Sequence, residues 1–401
     1  MYCTRKITEG ITWIGGSDRR LALFENLFPI PRGVAYNSYL ILDEATAVID
    51  TVDSSISRQF FENIQHTLNG RTLDYLIVNH MEPDHCANIA ELLLRYPNMK
   101  VVGNAKTFCM INQFYGIELK DDQTIVVKEG DSLSLGKHKL SFYFAPMVHW
   151  PEVMVAYEET EKILFSADAF GSFGALNGNI FNDEVDFDRD WLDEARRYYT
   201  NIVGKYGMQV QNVLKKAASL DIRMLCPLHG PVWRTDLDYI IGKYDTWSRY
   251  EPEEKGVMIA YASMYGNTEN MADVLAAMLA EEGVKDIRMH NISKTHVSEL
   301  IADSFKYSHI VLAAPTYNNG IYPLMDNYLE DMKALALQNR TVAVLGNGTW
   351  APQSAKLMTA KIGEMKNMTL LDTSVTVKSS LKDVQLEELK TLSRQIAEEV
   401  L

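Results

Sequence analysis

Paired cysteines are missing from this chain: Cys3, Cys86, Cys109 and Cys226 are scattered, with no C-x-x-C spacing among them. That pattern excludes a disulfide framework and a thiolate metal site as first readings. Long apolar runs are missing too, since no stretch approaches the roughly 20 residues that a membrane span takes. The opening Met1-Tyr2-Cys3-Thr4-Arg5-Lys6 has no apolar signal core. Those two absences predict a cytoplasmic protein with no membrane partner. A basic excess is also lacking: 39 Lys and Arg stand against 53 Asp and Glu, for a net charge of -14. Nucleic acid is therefore not expected as a partner, because phosphate binding wants a basic face. There is no internal repeat and no low-complexity tract. What remains is globular in composition, with 47% hydrophobic and 23% charged residues. At 401 residues it is too long for one ordinary core, so two domains are expected.

The two parts follow different patterns. Through about residue 250, short β-branched and aromatic runs read as strands at 11–13, 38–42, 47–52, 75–78, 101–102, 124–127, 140–145, 153–157 and 163–166. A long helical region is predicted over 191–219, then a strand at 223–226 and a helix over 237–250. The joint Glu251-Pro252-Glu253-Glu254-Lys255 combines Pro with clustered charge and divides the chain into domains 1–250 and 254–401. Beyond it, strands at 257–262, 287–290, 309–314, 341–346 and 369–374 alternate with helices at 268–281, 296–305, 323–337, 352–364 and 384–400. That alternation predicts a doubly wound parallel sheet.

The densest chemistry lies in His80-Met81-Glu82-Pro83-Asp84-His85, between an apolar run and an amphipathic stretch at 87–94. It crowds two imidazoles and two carboxylates into six residues, and a strand end opening into a loop can aim alternate side chains into one cavity. Further ligand types stand just past other apolar strands: His149 after 140–145, Asp168 after 163–166 and His229 after 223–226. Together these are four imidazoles and three carboxylates without a thiolate, a set that suits iron or manganese as well as zinc. The added carboxylate charge favours a metal that passes through a ferric state. His66, His138, His290, His296 and His309 read instead as ordinary polar surface or core residues.

The spacing His-x-Glu-x-Asp-His, followed by His149, Asp168 and His229, resembles the binuclear site of the metallo-β-lactamase fold, an αβ/βα sandwich. That fold usually has histidine where this chain has Glu82, and the carboxylate there resembles the flavodiiron proteins, which hold two irons. The resemblance implies that His80, Glu82 and His149 bind one iron, that Asp84, His85 and His229 bind the other, and that Asp168 bridges them. Asp50 resembles the acidic strand end common in the fold, with plain structural polarity as its alternative. Tyr198, Tyr199 and Trp150 are candidates to line the pocket, with helix packing as theirs.

In the second part the first strand ends in Ser263-Met264-Tyr265-Gly266-Asn267-Thr268, directly before a helix. Small and hydroxyl residues there let backbone N–H groups wrap a phosphate at a helix N-terminus. The segment has neither the glycine spacing of a dinucleotide fingerprint nor the lysine of a P-loop. Two more strand ends, Pro315-Thr316-Tyr317-Asn318-Asn319-Gly320 and Gly346-Asn347-Gly348-Thr349-Trp350, should meet it at the switch point of the sheet. The trio resembles flavodoxin, which implies FMN, its phosphate in the first loop and its ring between the other two. Trp350 and Tyr317 are candidates to stack on that ring.

A reduced flavin stores two electrons and a diferrous pair two more, which is the four needed to take dioxygen to water. Two suffice to couple nitric oxide to nitrous oxide. The flavodiiron resemblance extends over essentially the whole chain, including Pro31-Arg32-Gly33 and Tyr36-Asn37-Ser38-Tyr39, and matches the minimal two-domain class without an appended rubredoxin or flavin-reductase domain. It implies reduction of dioxygen, nitric oxide or both, and an external donor such as a rubredoxin or reduced deazaflavin. It also implies a head-to-tail homodimer or dimer of dimers, the flavin of one subunit facing the diiron site of the other. The rival readings are a dizinc hydrolase of the same fold and a flavodoxin-type electron carrier on an inert scaffold.

Overall fold

Strands that are buried on both faces read as unbroken apolar runs, and that is how the first unit is built. In the computed structural model, which describes residues 1–401, the chain divides into two compact units. One comprises Met1–Tyr199 and Met208–Tyr244; the other comprises Thr200–Gly207 and Asp245–Leu401.

The first unit holds two sheets. One is ordered Arg5–Lys6, Ile11–Trp13, Tyr39–Leu42, Thr46–Ile49, Tyr75–Ile77, Lys100–Gly103, Thr124–Val126, antiparallel as far as Thr46–Ile49 and parallel after it. The other is ordered Ser132–Ser134, Lys139–Phe144, Met154–Glu158, Ile163–Phe165, Met224–Cys226, with only the last pair parallel. Ile41, Ile49, Ile77 and Val102 from the first sheet share one core with Leu140, Phe142, Ala156 and Phe165 from the second, so the sheets stack face to face. Helices Ser57–Leu68 and Ala105–Tyr115 follow strands of the first sheet. The latter helix starts on Asn104, whose side chain accepts from Lys106 and Thr107 N–H, and ends on Gly116 in the left-handed region at φ 62°.

The helical region expected over 191–219 is interrupted. Leu192–Tyr198 runs into a π-turn at Tyr199–Val203 and a 3₁₀ turn at Gly204–Tyr206 before Gly207–Ala217 resumes. Gly207 has no room for a Cβ, which would lie 2.3 Å from the Ser248 carbonyl, so the chain here follows packing and not helix propensity. The expected strand at 369–374 is likewise two short pieces, Thr369–Leu370 and Val375–Val377, both paired with Thr341–Asn347.

The second unit is a parallel sheet ordered Ile287–Asn291, Glu254–Tyr261, Tyr307–Tyr317, Thr341–Asn347 and then those two pieces, the doubly wound order with its switch between Glu254–Tyr261 and Tyr307–Tyr317. Separate apolar clusters cover its two faces. Helices Val297–Lys306 and Pro323–Ala334 contribute to one, and Asn267–Glu281 and Asp383–Val400 to the other. Asn267–Glu281 buries Met271, Ala272, Leu275 and Leu279, a single stripe at helical spacing. No helix is long and apolar enough to cross a membrane.

One buried cation ties loops of this unit together. The Arg340 guanidinium is 1% exposed and donates to the carbonyls of Ser304 at 2.8 Å, Phe305 at 2.7 Å, Tyr250 at 2.7 Å, Gln338 at 2.9 Å and Asn339 at 3.1 Å. Removing it strands buried acceptors, so Arg340→Ala should destabilise the unit by about 3 kcal/mol, read as a lowered urea midpoint by circular dichroism. Arg340→Lys should recover only part of that, because a point charge cannot reach so many carbonyls at once. An unchanged midpoint in Arg340→Ala would show that water replaces the lost donors.

Candidate metal centre and flavin crevice

All seven candidate ligands emerge from loops just past strand ends or, for Asp84 and His85, from the one-turn helix Pro83–Cys86 with Pro at its first position. Asp50, directly after Thr46–Ile49, sets the first of these loops. Its carboxylate accepts the N–H of Asn79 at 2.7 Å and that of His80 at 3.2 Å. Thr51 holds the other end, giving both its N–H and its hydroxyl to the His85 carbonyl at 2.7 and 2.8 Å.

The ligand atoms gather into two sets, His80 with Glu82, His149 and Asp168, and Asp84 with His85 and His229, within which they lie no more than 4.8 Å apart. Asp168, fully buried, turns one oxygen to each set. Oδ2 lies 3.3 Å from His80 Nε2 and 3.2 Å from His149 Nε2, while Oδ1 lies 3.2 Å from His85 Nε2 and 3.7 Å from His229 Nε2. Glu82 Oε2 completes the first set at 3.0 Å from His149 and 3.3 Å from His80. Asp84 Oδ2 completes the second at 3.2 Å from His85 and 3.3 Å from His229.

Two rings have their tautomer fixed from outside. His80 Nδ1 donates to Glu152 at 2.9 Å and His229 Nδ1 to the Ala35 carbonyl at 2.8 Å, so each presents a bare Nε2 to the pocket when neutral. Glu152 also accepts the Met81 N–H at 2.8 Å. The residues fit a metal pair by a further sign: the oxygens of Asp84 and Asp168 are buried without a hydrogen-bond partner of good geometry, and His85 and His229 point their Nε2 atoms at each other 3.0 Å apart. Buried acceptors facing one another in this way leave a place for cations.

Electrostatics carries the same message. Burial opposes charge on His80, yet the Asp168, Glu152 and Glu82 carboxylates outweigh it and hold its pKa well above the usual range. Against the same opposition, Asp168 and Glu82 raise His149 to about 9. Asp168 itself is held well below the carboxylate range, with burial overcome by His80, His85 and His149.

Aromatic rings wall the pocket. Trp150 stands edge-on to His80 and His149, with centroids 5.5 and 6.2 Å away, and Tyr198, Phe24 and Tyr36 surround His229 at 5.2, 5.5 and 5.7 Å. Of the residues expected to line it, Tyr198 and Trp150 thus touch the rings of His229, His80 and His149, whereas Tyr199 packs on Tyr244 at 4.8 Å. Sequence reasoning passed over Glu25 and Glu152. Glu25 sits at the tip of the hairpin Leu23–Phe24 and Phe28–Pro29, at φ 50°. The residue as a whole is exposed, but desolvation of its carboxyl together with the neighbouring Glu82 carboxylate pushes it up to about 8. No local pattern marks either residue.

In the second unit a crevice of about 420 Å³ opens at the carboxyl ends of the strands. It is lined by Ser263, Met264, Tyr265, Asn267 and Thr268 of the first expected loop, Pro315, Thr316, Asn318 and Asn319 of the second, and Asn347, Gly348, Thr349 and Trp350 of the third. Gly266, Tyr317, Gly320 and Gly346 belong to the same loops but do not line it. Gly266 caps helix Asn267–Glu281 in the left-handed region at φ 90°, with no side chain capping the first turn, which leaves N–H groups free for a phosphate. Gly346 serves packing, since a Cβ there would lie 2.8 Å from that of Ala355. Trp350 and Tyr265 are 87% and 91% exposed, large aromatic surfaces suited to a planar ring. Ala351 and Ser379 were not foreseen. Ser379 bonds Asn347 and Thr349, and its only sequence signal is a hydroxyl just past the strand piece Val375–Val377.

Comparison with known proteins agrees with this division. Residues 34–230 match the ODP family beta lactamase and residues 259–390 match flavodoxin. A nitric oxide reductase of Moorella thermoacetica is 31% identical over 394 residues, covering 98% of this chain and 97% of that protein. An anaerobic nitric oxide reductase flavorubredoxin of Vibrio vulnificus is 32% identical and shares 86% of this chain and 70% of its own. Among solved structures, the rubredoxin oxygen:oxidoreductase of Desulfovibrio gigas superposes with a TM-score of 0.92 at 29% identity, covering 99% of this chain and 98% of that one.

A pH test follows from the raised imidazole. A metal must displace the proton on His149, so affinity of the metal-stripped protein for a divalent cation should rise with pH up to about 9, about tenfold per unit while one proton is released. Stability of the metal-stripped protein should move the other way. The contribution of protonated His149 is complete below its ordinary value of 6.5 and is lost as pH climbs through about 9. Chelator competition and thermal melts at several pH values measure the two trends. Flat profiles in both would remove His149 from the charge network.

Proposed function

The chain belongs to the flavodiiron protein family, and from that premise we propose how its residues divide the work. It is an oxidoreductase that reduces dioxygen to water, nitric oxide to nitrous oxide, or both, using a non-haem diiron centre and FMN. When bound, the two groups supply electron storage and, at the irons, open positions for a diatomic gas.

We assign residues 1–250 to the iron module and 254–401 to the FMN module. In the first, His80, Glu82 and His149 would hold one iron and Asp84, His85 and His229 the other, with Asp168 shared between them. The supporting observation is the pair of Asp168 oxygens, each turned to a different imidazole set inside one buried pocket. Glu152 and the Ala35 carbonyl keep the Nδ1 protons of His80 and His229 in place, so that their Nε2 atoms remain ligands. Trp150, Tyr198, Tyr36 and Phe24 wall the pocket with aromatic surface that restricts the access of water. In the second module the helix start at Asn267 and the hydroxyls of Ser263 and Thr268 would take the FMN phosphate, and Trp350 the ring.

The electrons would come from an external donor, a rubredoxin or a reduced deazaflavin, and the working unit would be a head-to-tail homodimer or a dimer of dimers, as the family resemblance implies. A dizinc hydrolase is disfavoured by Glu82, since that carboxylate belongs with redox iron in this fold.

The decisive experiment reconstitutes the full chain with iron and FMN, reduces it anaerobically and mixes it separately with each gas, counting turnovers before inactivation. Consumption of at least one gas is expected; inertness toward both, with zinc supporting ester or amide hydrolysis instead, would overturn the reading. His85→Asn should lose one iron and abolish gas reduction while leaving FMN bound, as iron analysis and flavin absorbance would report. Full turnover in that variant would overturn the ligand assignment.

A further inference from the structure

We infer that Trp150 is a reserve electron donor to the diiron pocket, a partly buried indole that gives up an electron and then its ring proton when oxygen arrives before the protein is fully reduced. This rests on the gas reduction proposed above and adds a protective activity to it.

The geometry singles out this ring. Trp150 stands edge-on to two ligands of one set, 5.5 Å from His80 at 88° and 6.2 Å from His149 at 74°. On its other side it stacks on Phe114, 6.3 Å away at 16°, and Phe114 is 45% exposed. The indole therefore spans the distance from the ligand shell to solvent. Two other oxidisable rings touch a ligand, Tyr36 and Tyr198 beside His229, and both are essentially fully buried. The Tyr198 hydroxyl has no hydrogen-bond partner. A phenol yields an electron readily only while handing its proton to an acceptor, and Tyr198 has none. An indole can lose the electron first and release its Nε1 proton to water afterwards, which the partial exposure of Trp150 permits. Phe114 is not oxidisable, so of the stacked pair Trp150 is the ring that can give an electron.

The electrons balance as follows. Dioxygen needs four electrons and four protons to become two waters, and the iron pair alone supplies two electrons. With the flavin oxidised, two electrons remain to be supplied from elsewhere. Each oxidation of Trp150 moves one electron from the indole to the metals and one proton from Nε1 to solvent, leaving a neutral tryptophanyl radical. A one-electron reductant in solution, such as ascorbate or the external donor, restores the indole as it regains a proton, and two rounds supply both electrons. Without this outlet the oxidisable sulfurs of Met81 and Cys86, fully buried and next in sequence to His80, Glu82 and His85, are left open to oxidation.

The test uses the iron-loaded, FMN-containing full chain, poised with ferrous iron and oxidised flavin as judged by absorbance, then mixed with oxygen and frozen within milliseconds. Electron paramagnetic resonance should show a transient tryptophan radical that ascorbate quenches. Trp150→Phe should abolish the signal and raise oxygen addition at Met81 and Cys86 severalfold by peptide mass spectrometry, whereas Trp150→Tyr should replace the signal by a tyrosyl one. Protein reduced by four electrons beforehand should show neither radical nor excess damage. Absence of an organic radical in the unaltered chain, or its persistence in Trp150→Phe, would overturn the inference while leaving the proposed function standing if oxygen is still consumed. Failure of the ferrous protein to consume oxygen at all would instead count against that function.

Discussion

A single buried carboxylate, Asp168, organises the first unit: with no exposure to water, it lies within 3.7 Å of the imidazoles of His80, His85, His149 and His229. An unpaired charge in such a place would cost several kcal/mol. The fold compensates by bringing imidazoles to it from separate loops, which explains why those loops are so constrained. Non-glycine residues in the left-handed region stand beside them, with Asp50 at φ 53°, Met147 at 64° and Ala167 at 52°. Such conformations cost of the order of 1–3 kcal/mol each and persist where the surroundings determine them, here where a ligand must be aimed. The stacked sheets provide the rigidity, and the loops spend it on direction.

The second unit solves a different problem with different means. A flavin phosphate and ring need hydrogen bonds and planar contact, not compensation of buried charge, so the crevice is built from backbone turns, amides and hydroxyls. Asn347 donates to Thr268 at 3.3 Å and to the Ser379 carbonyl at 2.9 Å while accepting the Ser379 N–H at 3.1 Å. One side chain thereby stitches together the first and third loops and the strand piece after them. The sheet can support this because both faces are covered by helices, which leaves only the carboxyl ends of the strands open.

Much of this was legible in the sequence, for identifiable reasons. The ligand motif is local, and the remaining ligands each follow a short apolar strand, so their side-chain type and position could be read without tertiary knowledge. The structure brings all seven together, and the doubly wound order of the second unit follows the strict alternation of its elements. What escaped is non-local. Glu152 matters because it meets His80 from 72 positions away, and Glu25 because a two-stranded hairpin with an i-to-i+3 bond from Leu27 to Phe24 carries it to Glu82. Neither hairpin partner has the Asn-Gly signature that would announce such a turn. The π-turn at Tyr199–Val203 was hidden for the same reason: its residues are acceptable helix formers, and only the packing around Gly207 interrupts them.

Cys86 shows how closely the chemistry of the cage is guarded. It directly follows the ligand His85 and lies fully buried, so by position it could offer a soft thiolate to a metal. Instead its Sγ is 3.0 Å from the Met81 carbonyl, which it serves as donor, and 3.1 Å from the Tyr115 hydroxyl. Burial pushes its thiol up to about 12, so at neutral pH it stays protonated and engaged elsewhere. A thiolate in the cage would favour softer ions and alter the electron affinity of a bound iron. By keeping this thiol neutral and bonded to backbone, the fold leaves a pure nitrogen and oxygen donor set. Its carboxylates would favour the oxidised state of an iron held there.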